Sequence, residues 1–585
     1  MVTFLVTSCV TLLTFIGESQ GHDKLDWRHT SLIYQIYPLS FKDSDGNGYG
    51  DLQGIYEKLD YVKDLGVDVI WIQPFYKSPL FDMGYDVTDY KSVDPLFGTM
   101  DDFQELVKGI HDRGMKLLLD FVPNHSSDLC EWFQLSLKGV EPYKDYYIYK
   151  DAKKVNDTHY TYPNNWRSLF SGSAWTWREE RKQYSYNQFS PQQPELNLRN
   201  PNLLKELEDA LKFWLDMGVD GFRVDAARHF FEATHLQDEP SIPGANFQND
   251  WMNVKHIYTM DLPESNELIK TWSAFFSEYG KKHGQTKAMT VEAYCPPSML
   301  KKYLGNDTHP GADVPYYMLM VYHMHYQINA SRLNDIVHEM IDNFPQGHYN
   351  WVLDNHDNPR ISTRYNPESV DSYNIFTLLL PGVASVYFGS ELGMEDSKVR
   401  SDQGRDPNNA ASSDPSQSRD GPRGFTTAKK PWLPVNPNYY RKNAKTQQEN
   451  PNSHLNIFKR IVKLRKTPVI QHGDFQTFVH KDWIYLFTRS YNSETIAVVM
   501  NLGSETEDVC PKTSAAKLPE TMFVHTSSIH SGLKIGSKVK TLSADETDCV
   551  QLRPFATVVL STSDAVLTSF SVFTLLLTVC LVTVV

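Results

Sequence analysis

Four carboxylates each stand at or just beyond the end of an apolar, β-branched run. Asp120 closes Lys-Leu-Leu-Leu-Asp, Asp225 closes Gly-Phe-Arg-Val-Asp, Glu292 closes Met-Thr-Val-Glu, and Asp357 follows Asn-Trp-Val-Leu-Asp-Asn-His. Short apolar runs that finish in a carboxylate read as buried parallel strands delivering side chains to one rim. The four lie far apart in sequence, but the strands of one barrel bring their ends together. Carboxyl groups converging there can divide acid, base and nucleophile work on a sugar. Arg223 lies two residues before Asp225 on the same run, so both side chains leave the same face. A cation at that distance holds Asp225 ionised. An isolated Arg-x-Asp is more often a structural ion pair, and an isolated Glu-Ala-Tyr carries almost no information. The set, in order, is what points to chemistry.

The elements that must position these residues alternate along the chain. Strands are predicted at Leu32–Tyr37, Val69–Ile72, Lys116–Phe121, Gly221–Val224, Ala288–Glu292, Tyr316–Val321, Trp351–Leu353 and Val383–Phe388. Amphipathic helical stretches such as Met100–His111, Leu203–Asp216 and Leu333–Asn343 fall between them. This alternation predicts an α/β fold, a (β/α)8 TIM barrel, over residues 26–125 and 201–475. Residues 126–200, rich in Tyr, Trp, Asn and Pro and without a helical period, read as an inserted domain on the catalytic rim. Ser397 to Asn436 is a second irregular stretch. Residues 476–561 change to alternating strands (Trp483–Phe487, Thr495–Met500, Phe555–Leu560), which predicts a C-terminal antiparallel β-domain.

The chain has 585 residues and a formal net charge of -14, with no long basic run, which argues against a nucleic-acid partner. Val2 to Ile16 is apolar and small and polar residues follow, so residues 1–20 read as a secretory signal. Residues 564–585 form a hydrophobic tail preceded by Ser561, Thr562 and Ser563, with no Lys or Arg after it. That pattern predicts a cleaved lipid-anchor (GPI) signal and residence on the extracellular face of the cell membrane. A retained tail helix and a fully secreted form are the competing readings. Outside these two segments lie Cys130, Cys295, Cys510 and Cys549, which allow three pairings. Cys510 with Cys549 would staple one small β-domain, leaving Cys130 and Cys295 as free buried residues. Glycosylation sequons start at Asn156, Asn306 and Asn329; the one at Asn124 sits at a predicted strand end in the active-site region and is discounted. Asp43, Asp45, Asn47, the Tyr49 carbonyl and Asp51 alternate oxygens as a structural Ca2+ loop requires, although Gly54 stands where an EF-hand has Glu.

Taken together, the motifs Ile33-Tyr-Gln-Ile-Tyr-Pro, Ser78-Pro-Leu-Phe-Asp-Met-Gly-Tyr-Asp-Val, Asp120-Phe-Val-Pro-Asn-His, Gly221-Phe-Arg-Val-Asp, Val291-Glu-Ala-Tyr and Asn355-His-Asp resemble glycoside hydrolase family thirteen, the α-amylase clan. The chain looks most like its α-glucosidases of the insect maltase type, from Trp27 to Leu560. The resemblance implies a retaining exo-α-glucosidase with Asp225 as nucleophile, Glu292 as acid/base and Asp357 as the third carboxylate, without a catalytic cofactor. His125 and His356 would donate to hydroxyls of the cleaved sugar, with Arg223 beside the nucleophile. Asp82 and Tyr85, with Arg423, would bracket the terminal 4-hydroxyl. Phe170 would wall the pocket, core packing being the equal alternative. Ala226 resembles the residue of α-1,4-acting maltases. The chain departs from the pattern at Glu195, Asn187 and Arg228, and Arg423 is followed by Gly-Phe-Thr-Thr. That last departure leaves maltose against sucrose, and hydrolysis against transglucosylation, open. A non-catalytic surface receptor on the same fold is the reading from a different class, disfavoured because every carboxylate is present.

Overall fold

The computed structural model describes residues 26–157, 159–325, 328–397, 426–543 and 549–563. The predicted apolar runs become β1 (Leu32–Ile36), β2 (Val69–Ile72), β3 (Lys116–Phe121), β4 (Gly221–Val224), β5 (Ala288–Val291), β6 (Asn350–Val352) and β7 (Val383–Tyr387). All pair in parallel, in the order β5-β4-β3-β2-β1-β7-β6. Apart from Lys116, every residue in these strands is buried, which is why they are written as continuous apolar runs and not as alternation.

The register sets the site. Asp120 is level with Arg223, and Val224 is level with Val291, so Asp225 and Glu292 emerge side by side one residue later. The helices that hold the strands start on strong signals. Thr99 and Asp102 form a capping box at α1 (Met100–Asp112), and Asn200 caps α2 (Pro201–Asp216) with proline in the first turn.

The sixth barrel segment departs from expectation. The predicted strand Tyr316–Val321 is instead a short extended segment followed by helix α3 (Leu319–His323). Asp313 N–H donates to Met289 O (2.8 Å) and Tyr316 N–H to Val291 O (3.1 Å), while Tyr317 N–H donates to Asn350 O (3.0 Å). These bonds bridge β5 and β6 and close the barrel. Pro315 has no amide hydrogen to give, so the ladder is interrupted. The apolar run Met318–Val321 then turns into helix; α4 (Ala330–Ile341) follows, capped by Asn329.

Between β3 and β4 the chain builds a helix (Glu131–Leu137) and a small antiparallel sheet of Tyr149–Lys150, Gln183–Tyr186 and Trp175–Arg178, on a cluster of Trp166, Ala174, Trp175 and Tyr186. A second excursion, after β4, is joined to it: Trp166 Nε1 donates to Gln237 O (2.9 Å) and Asn165 Nδ2 to Glu239 O (2.8 Å). The C-terminal part is a six-stranded antiparallel sheet. Its own core includes Ile484, Val499, Met522 and Leu560. Cys510 and Cys549 are disulfide-bonded beside the strand pair Glu507–Val509 and Val550–Leu552, and Cys130 and Cys295 are free and buried. Asn156, Asn306 and Asn329 are exposed, whereas Asn124 is fully buried. Among the described residues no helix is long and apolar enough to cross a membrane. The signal and tail segments read from the sequence lie outside the described residues.

Candidate active site

The strand ends deliver a cationic hub into a carboxylate cluster. The Arg223 guanidinium, 1 % exposed, reaches Asp120 Oδ1 (2.6 Å), Asp225 Oδ1 and Glu292 Oε2 (3.2 Å). Asp120 is held on its other oxygen by Trp71 Nε1 (3.1 Å) and Tyr85 Oη (3.1 Å). Just past Asp225 the backbone turns left-handed at Ala226 (φ 50°), and the Ala226 N–H donates to Glu292 Oε2 (3.0 Å). A positive φ favours a small side chain at that position.

Burial pushes the Glu292 carboxyl up to about 8, and the Asp225 and Asp357 charges add to that against the pull of Arg223. Burial also lifts Asp225, to about 6, with Arg223 drawing it down. Asp120 lies at about 6 for the same two reasons. Near neutral pH the arrangement therefore holds a proton on Glu292 and a charge on Asp225, the division that an acid and a nucleophile need. These values belong to the cluster as a whole, since its members interact strongly.

Asp357 sits at the mouth, its side chain 41 % exposed, 3.2 Å from His356 Nε2 and accepting from Tyr294 Oη (3.2 Å) and Asn355 Nδ2 (3.1 Å). His356 stacks on Tyr85, with centroids 5.4 Å apart and planes 7° apart, and its Nδ1 lies 3.1 Å from Gln35 Nε2. Burial lowers both His125 and His356 to about 4, so both are neutral rings able to donate one hydrogen bond.

One end of the site is closed by interlocked polar groups. Asp86 organises the loop that carries them, accepting from Ser78 Oγ (2.9 Å), Phe81 N (3.0 Å) and Asp82 N (3.0 Å). Gln193 Nε2 donates to Asp82 Oδ2 (2.6 Å) and lies 3.1 Å from His125 Nε2, which also faces Tyr85 O (3.1 Å). Gln73 Nε2 donates to Tyr85 Oη (3.2 Å). The Oε1 atoms of Gln73 and Gln193 are buried and have no partner among the described residues. Such acceptors carry a desolvation penalty that a ligand hydroxyl can relieve.

Structure thus gathers Asp82, Tyr85, His125, Arg223, Asp225, Glu292, His356 and Asp357 at one end of the barrel. Phe170 is one ring removed: it contacts Phe189 (5.8 Å between centroids), which in turn contacts His125 (4.9 Å) and His229 (5.4 Å). Arg423 lies outside the described residues. Of the departures, Glu195 is buried and accepts from Gln188 Nε2 (2.9 Å), and Asn187 accepts from Thr176 Oγ1 (2.8 Å). Arg228 pairs with Asp261 and donates to Tyr294 O, tying the turn after Asp225 to the turn after Glu292. Tyr294 and Asn355 belong to the family-like motifs and Gln193 opens the segment that holds Glu195, but the sequence gives none of them a role; Gln73 and Phe189 are not anticipated from sequence at all.

Asp43, Asp45 and Asp51 bring carboxylate oxygens within 4.8 Å of one another, at the loop preceding the helix Leu52–Glu57. Asp43 accepts from Gly46 N (2.7 Å) and Gly48 N (2.8 Å), Asp45 from Asn47 N (2.9 Å), Asn47 Oδ1 from Tyr49 N (2.7 Å), and Asp51 from Ser44 N (2.8 Å). Like charges this close repel unless a cation sits among them, and an all-oxygen set suits a hard one.

Residues 35–473 match the profile of the alpha-amylase catalytic domain. Maltase 1 of Drosophila virilis is 37% identical over 532 residues, covering 87% of this chain and 84% of that protein. An alpha-glucosidase of Apis mellifera is 36% identical over 546 residues, covering 91% of this chain and 94% of that protein. Among solved structures, an alpha-glucosyl transfer enzyme superposes with a TM-score of 0.80 at 28% identity, over 92% of this chain and 100% of the other.

Proposed function

The chain belongs to the alpha-amylase family, and from that premise we propose that it is a retaining exo-α-glucosidase releasing α-D-glucose from the non-reducing end of α-1,4-linked di- and oligosaccharides. The observation that carries the reading is the Arg223 hub: one guanidinium contacts the carboxyls of both Asp225 and Glu292, whose proton affinities are pushed apart. Asp225 attacks the anomeric carbon while Glu292 protonates the departing oxygen; Glu292 then takes a proton from the incoming water, which releases the sugar with its configuration retained. His125, His356 and Asp357 hold hydroxyls of the cleaved glucose, and Asp82 and Gln193 close the pocket behind it. A closed end accounts for exo-action, because a chain continuing past the first sugar would bury unpaired polar groups. The test is glucose release by the full chain from maltose, sucrose and isomaltose, with the product anomer followed by NMR. Maltose above the other two, with α-glucose appearing first, is expected. Failure to release glucose from any of them sinks the reading.

Transglucosylation is the second reading. It is favoured by the likeness to an alpha-glucosyl transfer enzyme and by the altered sequence after Arg423. Product analysis at high maltose, where transfer would yield trisaccharides, separates the two.

The Asp43–Asp51 loop supports a structural calcium ion held by Asp43, Asp45, Asn47, Tyr49 and Asp51, with no part in the chemistry. In the same reading residues 1–20 are a secretory signal and residues 564–585 a lipid-anchor signal, leaving the enzyme on the extracellular face with Asn156, Asn306 and Asn329 glycosylated. The Cys510–Cys549 disulfide supports an oxidising compartment. Release from membranes by a GPI-specific phospholipase tests the anchor.

A further inference from the structure

Glu292 protonates the bridging oxygen, so the leaving sugar must lie on the Glu292 side of the cleaved bond, away from the closed end. Two tyrosines stand there. Tyr294, two residues after Glu292, donates through its Oη to Asp357 (3.2 Å) and accepts from Asn355 Nδ2 (2.9 Å), so its ring is fixed. Tyr322 lies against it, with centroids 5.3 Å apart and planes 47° apart. It sits on α3, the helix that replaces the expected sixth strand, within electrostatic range of Asp357 and Glu292 and beside Asn358. Despite those contacts Tyr322 is 58 % exposed, while its helix neighbours Met320 and Val321 are buried. An aromatic ring held at the edge of a carboxylate cluster and more than half exposed offers an apolar plane to the C–H face of a pyranose ring.

We propose that Tyr322, backed by Tyr294, is the stacking platform for the sugar on the leaving side: the departing glucose or glucan in hydrolysis, and an incoming sugar hydroxyl donor in transfer. This rests on the α-glucosidase reading above. Tyr322 acts on how well a sugar is held beside Glu292, and takes no proton and forms no bond.

The experiment compares maltotriose with α-D-glucosyl fluoride, whose leaving group is one atom and cannot stack. For Tyr322→Ala, kcat/KM on maltotriose falls at least ten times further than on α-glucosyl fluoride, chiefly through KM, and the yield of transfer products at high maltose drops. Tyr322→Phe and Tyr322→Trp restore both. Equal losses on the two substrates would mean that Tyr322 only supports the fold, and no loss on maltotriose would mean that nothing stacks there; either result overturns the proposal. Wild-type protein inactive on α-glucosyl fluoride would instead overturn the function it rests on.

Discussion

The two sides of the catalytic cluster are built on opposite plans. The closed side is a lattice of short polar contacts among Asp82, Tyr85, His125 and Gln193, set on a loop that Asp86 organises from within. The leaving side is two tyrosines, one anchored and one largely bare, on a helix that replaces a strand. Buried polar groups discriminate sharply, because a ligand lacking the matching hydroxyl leaves them unpaired. A bare ring discriminates weakly, since any pyranose has a face to lay on it. The difference explains how one site can be strict about the sugar it cleaves off and permissive about what that sugar was attached to.

The harshest way to break the comparison is at the point where the two sides meet. Asp225→Asn should fold, as circular dichroism will show, and lose about 10^4-fold or more in kcat/KM on maltose and α-glucosyl fluoride alike. A loss confined to one substrate would mean the sides do not share a nucleophile. Next, Asp82→Ala should cost about 10^2-fold or more on both substrates, because the closed side sees the same glucose in each. A maltose-only loss would move Asp82 to the other side.

The pH profile sharpens the contrast more gently. Asp225 must be ionised, so kcat/KM rises as pH climbs through about 6, and Glu292 must be protonated, so it falls as pH climbs through about 8. One unit beyond either limb the rate is down about tenfold. Fluoride needs little help in leaving, so the alkaline limb should be shallower for α-glucosyl fluoride than for maltose; identical limbs would remove Glu292 from its role as acid. The smallest effect is expected at Phe189, which backs His125. Phe189→Leu should slow both substrates by less than about tenfold, in line with a near volume-conserving swap.

Much of this was legible beforehand. The barrel strands were written as apolar runs because both of their faces are covered, and the carboxylates that end them carry a register fixed by the ladder itself. Met318–Val321 misled because a short apolar run fits a buried helix as well as a buried strand; the informative residue was Pro315, which cannot continue a ladder. Gln73 and Tyr322 carried no signal because each is a single ordinary residue outside any regular pattern, and Gln193, although it opens the family-like segment Gln193-Pro-Glu-Leu-Asn, carried no hint of its role. Only the tertiary fold reveals that two amide oxygens have no partner among the described residues, or that a ring stays more than half exposed. Phe170 was legible as an aromatic near the site, but its partner Phe189 was needed to see that it acts one layer back.

The extended segment Asp313–Tyr317 gives the barrel a seam. Elsewhere in the parallel sheet the ladders are uninterrupted, but between β5 and β6 the wall is sutured by a few amide bonds around Pro315. A seam is where a closed ring can be re-tailored. Residues grafted into α3 would alter the ground beneath the outgoing sugar while leaving the Asp120–Arg223–Asp225 register untouched on the strands beyond, so the appetite of such an enzyme can drift without its chemistry being rebuilt.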